Sequence, residues 1–370
     1  MGKGSGSFLG TAKIMNLNKY RMNLRYAYRP QKPLLTIRLI STYTRILLLR
    51  ARPLRYVDFC ITEKCNLACR HCFATAFKAR HGKRMGLEDY RRVAREANEL
   101  GAVNFSFQGG EPLMHPDLEG IIRAVSPFKN VISVTTNGIL LTEKRAAQLK
   151  RAGVDIFTIS LDSYDPKEHD VFRNKNGAYE NSMRGITAAI EAGCHVTIGT
   201  TLSHHNIKTP GLERLLEWAS DKKMILCFSL AVPIGRWAGR DDVLLIPSDQ
   251  VHLRSLLRKY PWVRTDLDAN YHWSGCGAVK EILYVTLHGD VLPCPYIHIS
   301  FGNVHEQGLA EIRDLALKNR YFAEYWPRCL CATDREFIDG VLSRLYEQED
   351  VPVASHLIFP RPDTRPPFDM

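Results

Sequence analysis

Residues 55–74, RYVDFCITEKCNLACRHCFA, run an apolar, β-branched segment straight into Cys65, Cys69 and Cys72. The segment reads as a strand, and the loop after it separates two folds. A doubly wound sheet usually places a glycine-rich turn directly after its first strand; here that position is filled with cysteines. Downstream, as far as residue 240, short apolar runs (AVNFSF, VISVTT, DIFTISL, HVTIGTT, ILCFSLAV) alternate with longer runs of helical period (LEDYRRVAREANEL, HPDLEGIIRAV, EKRAAQLKRAG, AYENSMRGITAAIEAG). These are βα units. Six of them predict an α/β fold, a partial (β/α)6 TIM-like barrel with its strand-end loops gathered at one mouth, where ligands bind.

Around that core the chain divides into five parts: a basic extension (1–53), the barrel (54–240), a polar linker with one helix (241–270), a small cysteine-rich module (271–335), and a C-terminal helix and extended tail (336–370). The 370 residues are 45% hydrophobic and carry a formal charge of +11, a globular composition. Residues 1–57 hold twelve Lys or Arg and no Asp or Glu, so the rest of the chain is close to neutral and no nucleic-acid partner is expected. Segment 33–51 is apolar but broken by Arg38 and Arg45. It predicts either a helix lying on an anionic membrane surface or a helix packed across one mouth of the barrel, the second preferred. No secretory signal is evident, and MGKGSG lacks the Ser or Thr at position 6 that myristoylation requires. A cytoplasmic protein is expected, with peripheral membrane attachment left open by that segment.

Ten cysteines without a secretory signal argue for metal or redox use rather than disulfides. Cys60, Cys194 and Cys227 lie in apolar stretches and read as small buried hydrophobes. The other seven form two groups. Cys65, Cys69 and Cys72 fit one corner of an iron-sulfur cube, which three thiolates would leave with one iron free for another ligand. Zinc competes, because His71 would complete four ligands, but its adjacency to Cys72 makes a shared tetrahedral ion awkward.

Cys65-Asn66-Leu67-Ala68-Cys69-Arg70-His71-Cys72 resembles the CxxxCxxC hallmark of radical S-adenosylmethionine (SAM) enzymes. Three further segments resemble that family at successive strand ends, Gly109-Gly110-Glu111-Pro112, Thr136-Asn137-Gly138 and Ser160-Leu161-Asp162, and His169-Asp170-Val171-Phe172-Arg173 resembles a family stretch whose arginine pairs with the cosubstrate carboxylate. Pro233-Ile234-Gly235-Arg236 resembles a family segment near the adenine. The resemblance implies that a 4Fe-4S cluster binds SAM through its open iron and cleaves it to a 5′-deoxyadenosyl radical. It also implies cofactor contacts at His71, Gly109, Gly110, Glu111, Asn137, Ser160, Asp162, Arg173, Thr200 and Arg236. Glu111 would accept from an ammonium group and Arg173 would pair with a carboxylate. Ser160 and Asp162 would face ribose or methionine, or else cap the following helix.

Cys276, Gly289 and Cys294, on either side of a predicted hairpin, resemble the opening of the SPASM or twitch auxiliary-cluster module. The pattern then departs from the seven-cysteine module, for only Cys329-Leu330-Cys331 comes after it. Four thiolates suffice for one second 4Fe-4S cluster; a zinc ribbon also fits four cysteines. The expected protein is a radical SAM enzyme acting on a peptide or small molecule, reduced by a partner such as a flavodoxin or ferredoxin, with the second cluster in electron transfer. A non-catalytic iron-sulfur electron carrier, or an enzyme acting at a membrane, are the alternatives. Tyr271, His272 and Tyr284 lie near the second module without an assignable role.

Overall fold

Each strand segment alternates bulky apolar with short polar side chains, and in the computed structural model, which describes residues 29–79, 82–269 and 275–360, the two sets take opposite faces of one curved sheet. Phe105, Phe107, Ile132, Val134, Phe157 and Ile159 are buried in the layer beneath the helices. Ser106, Gln108, Ser133, Thr135, Thr158 and Ser160 line the lumen. Closed barrels usually fill the lumen with branched apolar side chains; short polar ones leave it open.

The six predicted strands form in order and in parallel: β1 (Tyr56–Thr62), β2 (Asn104–Gly109), β3 (Val131–Thr136), β4 (Ile156–Ser160), β5 (His195–Leu202) and β6 (Ile225–Leu230). The helices between them are set by local signals. Thr142 caps Glu143–Ala152 by accepting from the Arg145 N–H, and Gly153, at φ 117, closes that helix in the left-handed region. Asp165 caps Pro166–Arg173, with proline at its first position.

Three further strands join the sheet. β7 (Val263–Thr265) pairs in parallel with β6, so the stretch expected to be a linker with one helix supplies a strand after the helix Pro247–Lys259. β8 (Ile282–Val285) pairs in parallel with the free edge of β1, and β9 (Val291–Leu292) returns antiparallel to β8 past Gly289 at φ 85. This is the predicted hairpin, and it welds the cysteine-rich module onto the barrel sheet. Two short helices, Leu309–Leu317 and Arg320–Ala323, lead toward Cys329; the Asn319 side chain accepts from the Tyr321 N–H and starts the second. At the C-terminal end the helix Arg335–Gly340 forms, and Val353–Ala354 pairs with Ile299–Ser300. Most of the basic extension (1–28), Tyr271, His272 and the tail from 361 lie outside the described residues.

The helix Pro33–Leu49 crosses the bottom of the barrel, against the starts of β2, β3 and β4. Leu35 packs on Val103, Val131 and Ile156. Lys32 Nζ reaches the Asn130 carbonyl at 2.9 Å and Asp155 Oδ2 at 2.5 Å. Arg38 donates to the Ala102 carbonyl at 2.6 Å and to the Asn130 side chain. Of the two readings of segment 33–51, packing across a mouth is the one observed for its inner face.

Candidate active site at the strand ends

The loop after β1 carries Cys65 exposed, Cys69 buried and Cys72 half-buried. Three strand ends hold it. Gly109 and Gly110 line the cavity and also make room for this loop: a Cβ on Gly109 would lie 2.3 Å from the Thr62 carbonyl oxygen, and one on Gly110 would lie 2.2 Å from that of Lys64. The Gly110 and Glu111 N–H groups donate to those two carbonyls at 2.7 Å each. From β3, Asn137 Nδ2 donates to Asn66 Oδ1 at 2.7 Å. After β6, the Arg236 N–H donates to the Cys72 carbonyl at 3.1 Å and its Nη1 to the Ala68 carbonyl at 2.7 Å. A Cβ on Gly235 would sit 2.3 Å from the Cys72 carbonyl oxygen. Arg236, expected near an adenine, thus clamps the cysteine loop.

Glu111 is 1% exposed. Its Oε1 accepts from Thr136 Oγ1 at 2.6 Å and the Leu113 N–H at 3.1 Å, and Oε2 from the Asn137 N–H at 2.9 Å. Burial pushes its carboxyl above the ordinary range, against those donors. Three of about four acceptor positions are filled, so one remains on Oε2 for a ligand cation.

Asp162 and Arg173 form a buried pair at 2.6 Å, with side chains 2% and 9% exposed. Asp162 Oδ1 accepts from the Thr201 N–H at 3.0 Å. Burial is the largest influence on Asp162 and opposes its ionisation, but the Arg173 guanidinium, His71, His169 and the Thr201 N–H together outweigh it and hold the carboxyl below its usual value. Arg173 in turn reaches Cys69 Sγ at 3.9 Å, a charge-assisted contact to a cluster-loop sulfur. His169, wholly buried, accepts at Nδ1 from the Asp162 N–H at 3.1 Å, and burial lowers its pKa to about 4. Asp162 is a positioning residue for Arg173, while Ser160 lines the cavity directly. Thr200 lines it too, though its hydroxyl is spent on the Leu161 carbonyl at 2.6 Å. The His71 ring stacks on Phe172 at 4.4 Å and lies 5.7 Å from Trp237; burial keeps it neutral, with a pKa of about 3.

The second cysteine group borders the same lumen from another side: Cys276 precedes β8 and Cys294 follows β9, so both sit beside the start of β1, whereas Cys65 follows its end. A bridge between Cys276 and Trp326, with the Cys276 N–H donating to the Trp326 carbonyl at 2.8 Å, brings the segment before β8 alongside the one leading to Cys329. Cys331 lies against Cys294 and Cys329. One cavity of about 480 Å³ is lined by Cys65, Cys69 and Cys72 and by Cys276, Cys294 and Cys329.

Sequence reading missed the lumen's acids. Asp58 on β1 and Asp266 just after β7 both line the cavity. Burial pushes Asp58 up to about 7, with Ser106 and Gln108 working against it and Asp266 adding to it. Burial raises Asp266 as well, and Cys227 Sγ contacts its Oδ1 at 3.2 Å. Cys227 therefore faces the lumen, unlike Cys60 and Cys194, which are buried as expected. The available signal was a lone carboxylate between Val57 and Phe59 in an otherwise apolar strand. Tyr284 is fully buried, beside Phe77.

The donor sets suit iron-sulfur clusters. Three soft sulfurs sit on one loop, with the Leu67 N–H at 3.4 Å from Cys65 Sγ and Arg173 beside Cys69, the kind of donors that stabilise cluster sulfur. Burial pushes the thiols of Cys65 to about 11 and Cys276 to about 12, so loading a cluster must expel their protons.

The family model for the radical SAM superfamily matches residues 59–218, the span that contains the cysteine loop and the strand ends around it. The chain belongs to the radical SAM superfamily. An iron-sulfur cluster-binding model, SPASM, matches residues 276–332. The chain is thus a radical SAM enzyme with an auxiliary iron-sulfur module, and its cofactors are 4Fe-4S clusters and SAM. Among relatives, it is 26% identical over 301 residues to an AdoMet-dependent heme synthase of Oleidesulfovibrio alaskensis, covering 73% of this chain and 76% of that one. It is 42% identical over 138 residues to a probable GTP 3′,8-cyclase of Methanosarcina mazei, covering 36% and 41%. The fold is shared with anSMEcpe, solved with bound AdoMet and Cp18Cys peptide, at a TM-score of 0.58 and 17% identity over 74% of this chain and 82% of that one. Among the described residues no helix is long and apolar enough to cross a membrane.

Proposed function

We propose that this radical SAM enzyme abstracts hydrogen from a compact substrate held in the lumen between its two cysteine groups and passes the resulting electron to the auxiliary site. The observation that carries this reading is the single cavity faced by thiols of both groups and walled by hydroxyl and amide side chains. When bound, the first cluster and SAM supply a 5′-deoxyadenosyl radical, and a cluster on Cys276, Cys294, Cys329 and Cys331 supplies an electron acceptor.

The chain's own residues divide the remaining work. Glu111 offers its free Oε2 position to the SAM ammonium group. Arg173, held by Asp162, fixes the Cys69 side of the loop and offers a guanidinium to a carboxylate. His71, Ser160 and Thr200 border the cofactor end of the cavity, and Arg236 and Asn137 keep the loop in place. Deeper in, Ser106, Ser133 and Thr158 present hydroxyls that orient a polar substrate. Oxidation of a substrate releases a proton as well as an electron, and the Asp58 carboxylate, with its pKa near neutrality, is placed to take it.

The heme-synthase relatives favour a small organic molecule; a peptide side chain, which a cavity of about 480 Å³ would also admit, is the second substrate class. A flavodoxin-like or ferredoxin-like protein would deliver the reducing electron. Anaerobically reconstituted protein should show two 4Fe-4S signals by electron paramagnetic resonance, one of which changes when SAM is added. Substituting Cys65, Cys69 and Cys72 by Ala should remove the SAM-responsive signal, and Cys276→Ala with Cys294→Ala only the other. One signal, or loss of both from either set, contradicts the assignment.

A further inference from the structure

The helix Pro33–Leu49 has two apolar faces, and among the described residues only one of them is covered. Its inner face, with Leu35, Thr42 and Ile46 buried, closes the bottom of the barrel. Its outer face presents Leu34, Ile37 and Ile40, and its last turn leaves Leu47, Leu48 and Leu49 at 77%, 76% and 71% exposed. Three successive leucines in water, with Leu34, Ile37 and Ile40 on the same helix, form the kind of patch that marks an interaction surface. Arg45 and Arg50, both exposed, flank this last turn.

We infer that the outer face of this helix docks on the surface of an anionic lipid bilayer, with Leu47, Leu48 and Leu49 entering the interface. Charge selects this occupant. Arg29, Lys32, Arg38, Arg52 and Arg55 are paired within the fold, but Arg45 and Arg50 are exposed beside the leucines in a segment of 57 residues that holds no acid, and each is attracted to anionic headgroups by about 1 kcal/mol near the surface. A second copy of the chain would bring the same acid-free segment against itself, setting like charges together. At 17 residues the helix is also too short and too interrupted by Arg38 and Arg45 to span, which leaves the interfacial mode. Because the helix lies at the starts of β2 to β4, docking there directs the cysteine mouth, at the opposite ends of the strands, away from the bilayer.

The test is co-sedimentation of the reconstituted full chain with vesicles of mixed phosphatidylglycerol and phosphatidylcholine, beside vesicles of phosphatidylcholine alone. The expected result is binding to the anionic vesicles, reduced by raising salt from about 0.1 M to about 0.5 M. Leu47→Gln, Leu48→Gln and Leu49→Gln together should weaken it by about tenfold or more, and Arg45→Gln with Arg50→Gln should reduce the preference for anionic vesicles. Release of 5′-deoxyadenosine should be unchanged in both variants, so loss of binding is separable from failure of the radical SAM reading. Absence of binding to either vesicle, or binding indifferent to the three leucines, overturns the inference. So does a concentration-dependent dimer that the leucine variant abolishes, which would assign the face to a second copy. Hydrogen-exchange protection of residues 47–49 without vesicles would overturn it too, by assigning the face to another segment of this chain.

Discussion

Replacing Asp162 by Asn keeps the size of the side chain and removes one charge from the buried pair with Arg173. The pair is 2.6 Å apart with both side chains nearly out of solvent, so the guanidinium would be left without its counter-ion. Breaking a buried pair from one side costs about 3–5 kcal/mol. For a chain of this length the unfolding entropy is roughly 0.8 kcal/mol per degree, so the melting temperature of Asp162→Asn should fall by roughly 4–6 °C. The sign with pH is fixed by the lowered pKa of Asp162. The pair's contribution is present above the unfolded carboxylate value, about 4, and is lost as pH falls through the lower folded value. The penalty should therefore be full at pH 7 and shrink only in acid. Combining Asp162→Asn with Arg173→Met removes the orphaned charge, so the double variant should be less destabilised than the sum of the two single ones, by about 0.5–3 kcal/mol. Thermal unfolding of anaerobically reconstituted protein, with iron measured on each variant, reads all of this. A single variant within about 1 °C of the parent, or strict additivity in the double, would refute the account of Asp162 as the residue that holds Arg173.

Gly110→Ala forces a Cβ onto the Lys64 backbone; a cost of about 1–3 kcal/mol and a lower iron content per chain are expected from unfolding and iron assays, whereas unchanged values would mean that the loop yields freely. Asp58→Asn tests the lumen acid. Because burial raises the folded pKa of Asp58 to about 7, the native chain loses stability as pH rises from about 4 to about 7. The substitution should remove that loss, by up to about 4 kcal/mol, so the variant's melting temperature should pull ahead of the parent's with rising pH; parallel pH curves would contradict it. Asp155→Ala removes the anchor of Lys32 and an acceptor for the Ile132 N–H at 2.8 Å, and hydrogen exchange over residues 33–49 should rise relative to the β-sheet.

The parts of this site that the sequence made legible are those fixed locally. Strands β1 to β6, the cysteine loop and the Gly289 hairpin each arise from period, turn residues and short spacing. The first cysteine group sits at a strand end, as the βα alternation implied; the second reaches the same cavity only because β8 pairs with β1. Features that depend on contacts between distant segments were not legible. The glycines of 109–110 read as cofactor contacts and do line the cavity, but their second task, admitting the backbone of Thr62 and Lys64, is a contact created by the pairing of β1 with β2. That Arg236 clamps the cysteine loop was hidden for the same reason, since that loop lies over 160 residues away in sequence. β7 is three residues long and has too little periodicity to stand out from a linker. The lumen acids were hidden because alternation gives a face without saying whether that face is filled, and only the assembled ring of short polar side chains shows that Asp58 and Asp266 border a cavity.

The most direct measurement is release of 5′-deoxyadenosine from SAM by the reduced, anaerobically reconstituted chain, alongside the variant with Cys65, Cys69 and Cys72 replaced by Ala. Release by the parent and none by the variant is the predicted result. Equal release by both, or none by a parent that holds its cluster and binds SAM, would contradict the claim that this loop is where the radical is made.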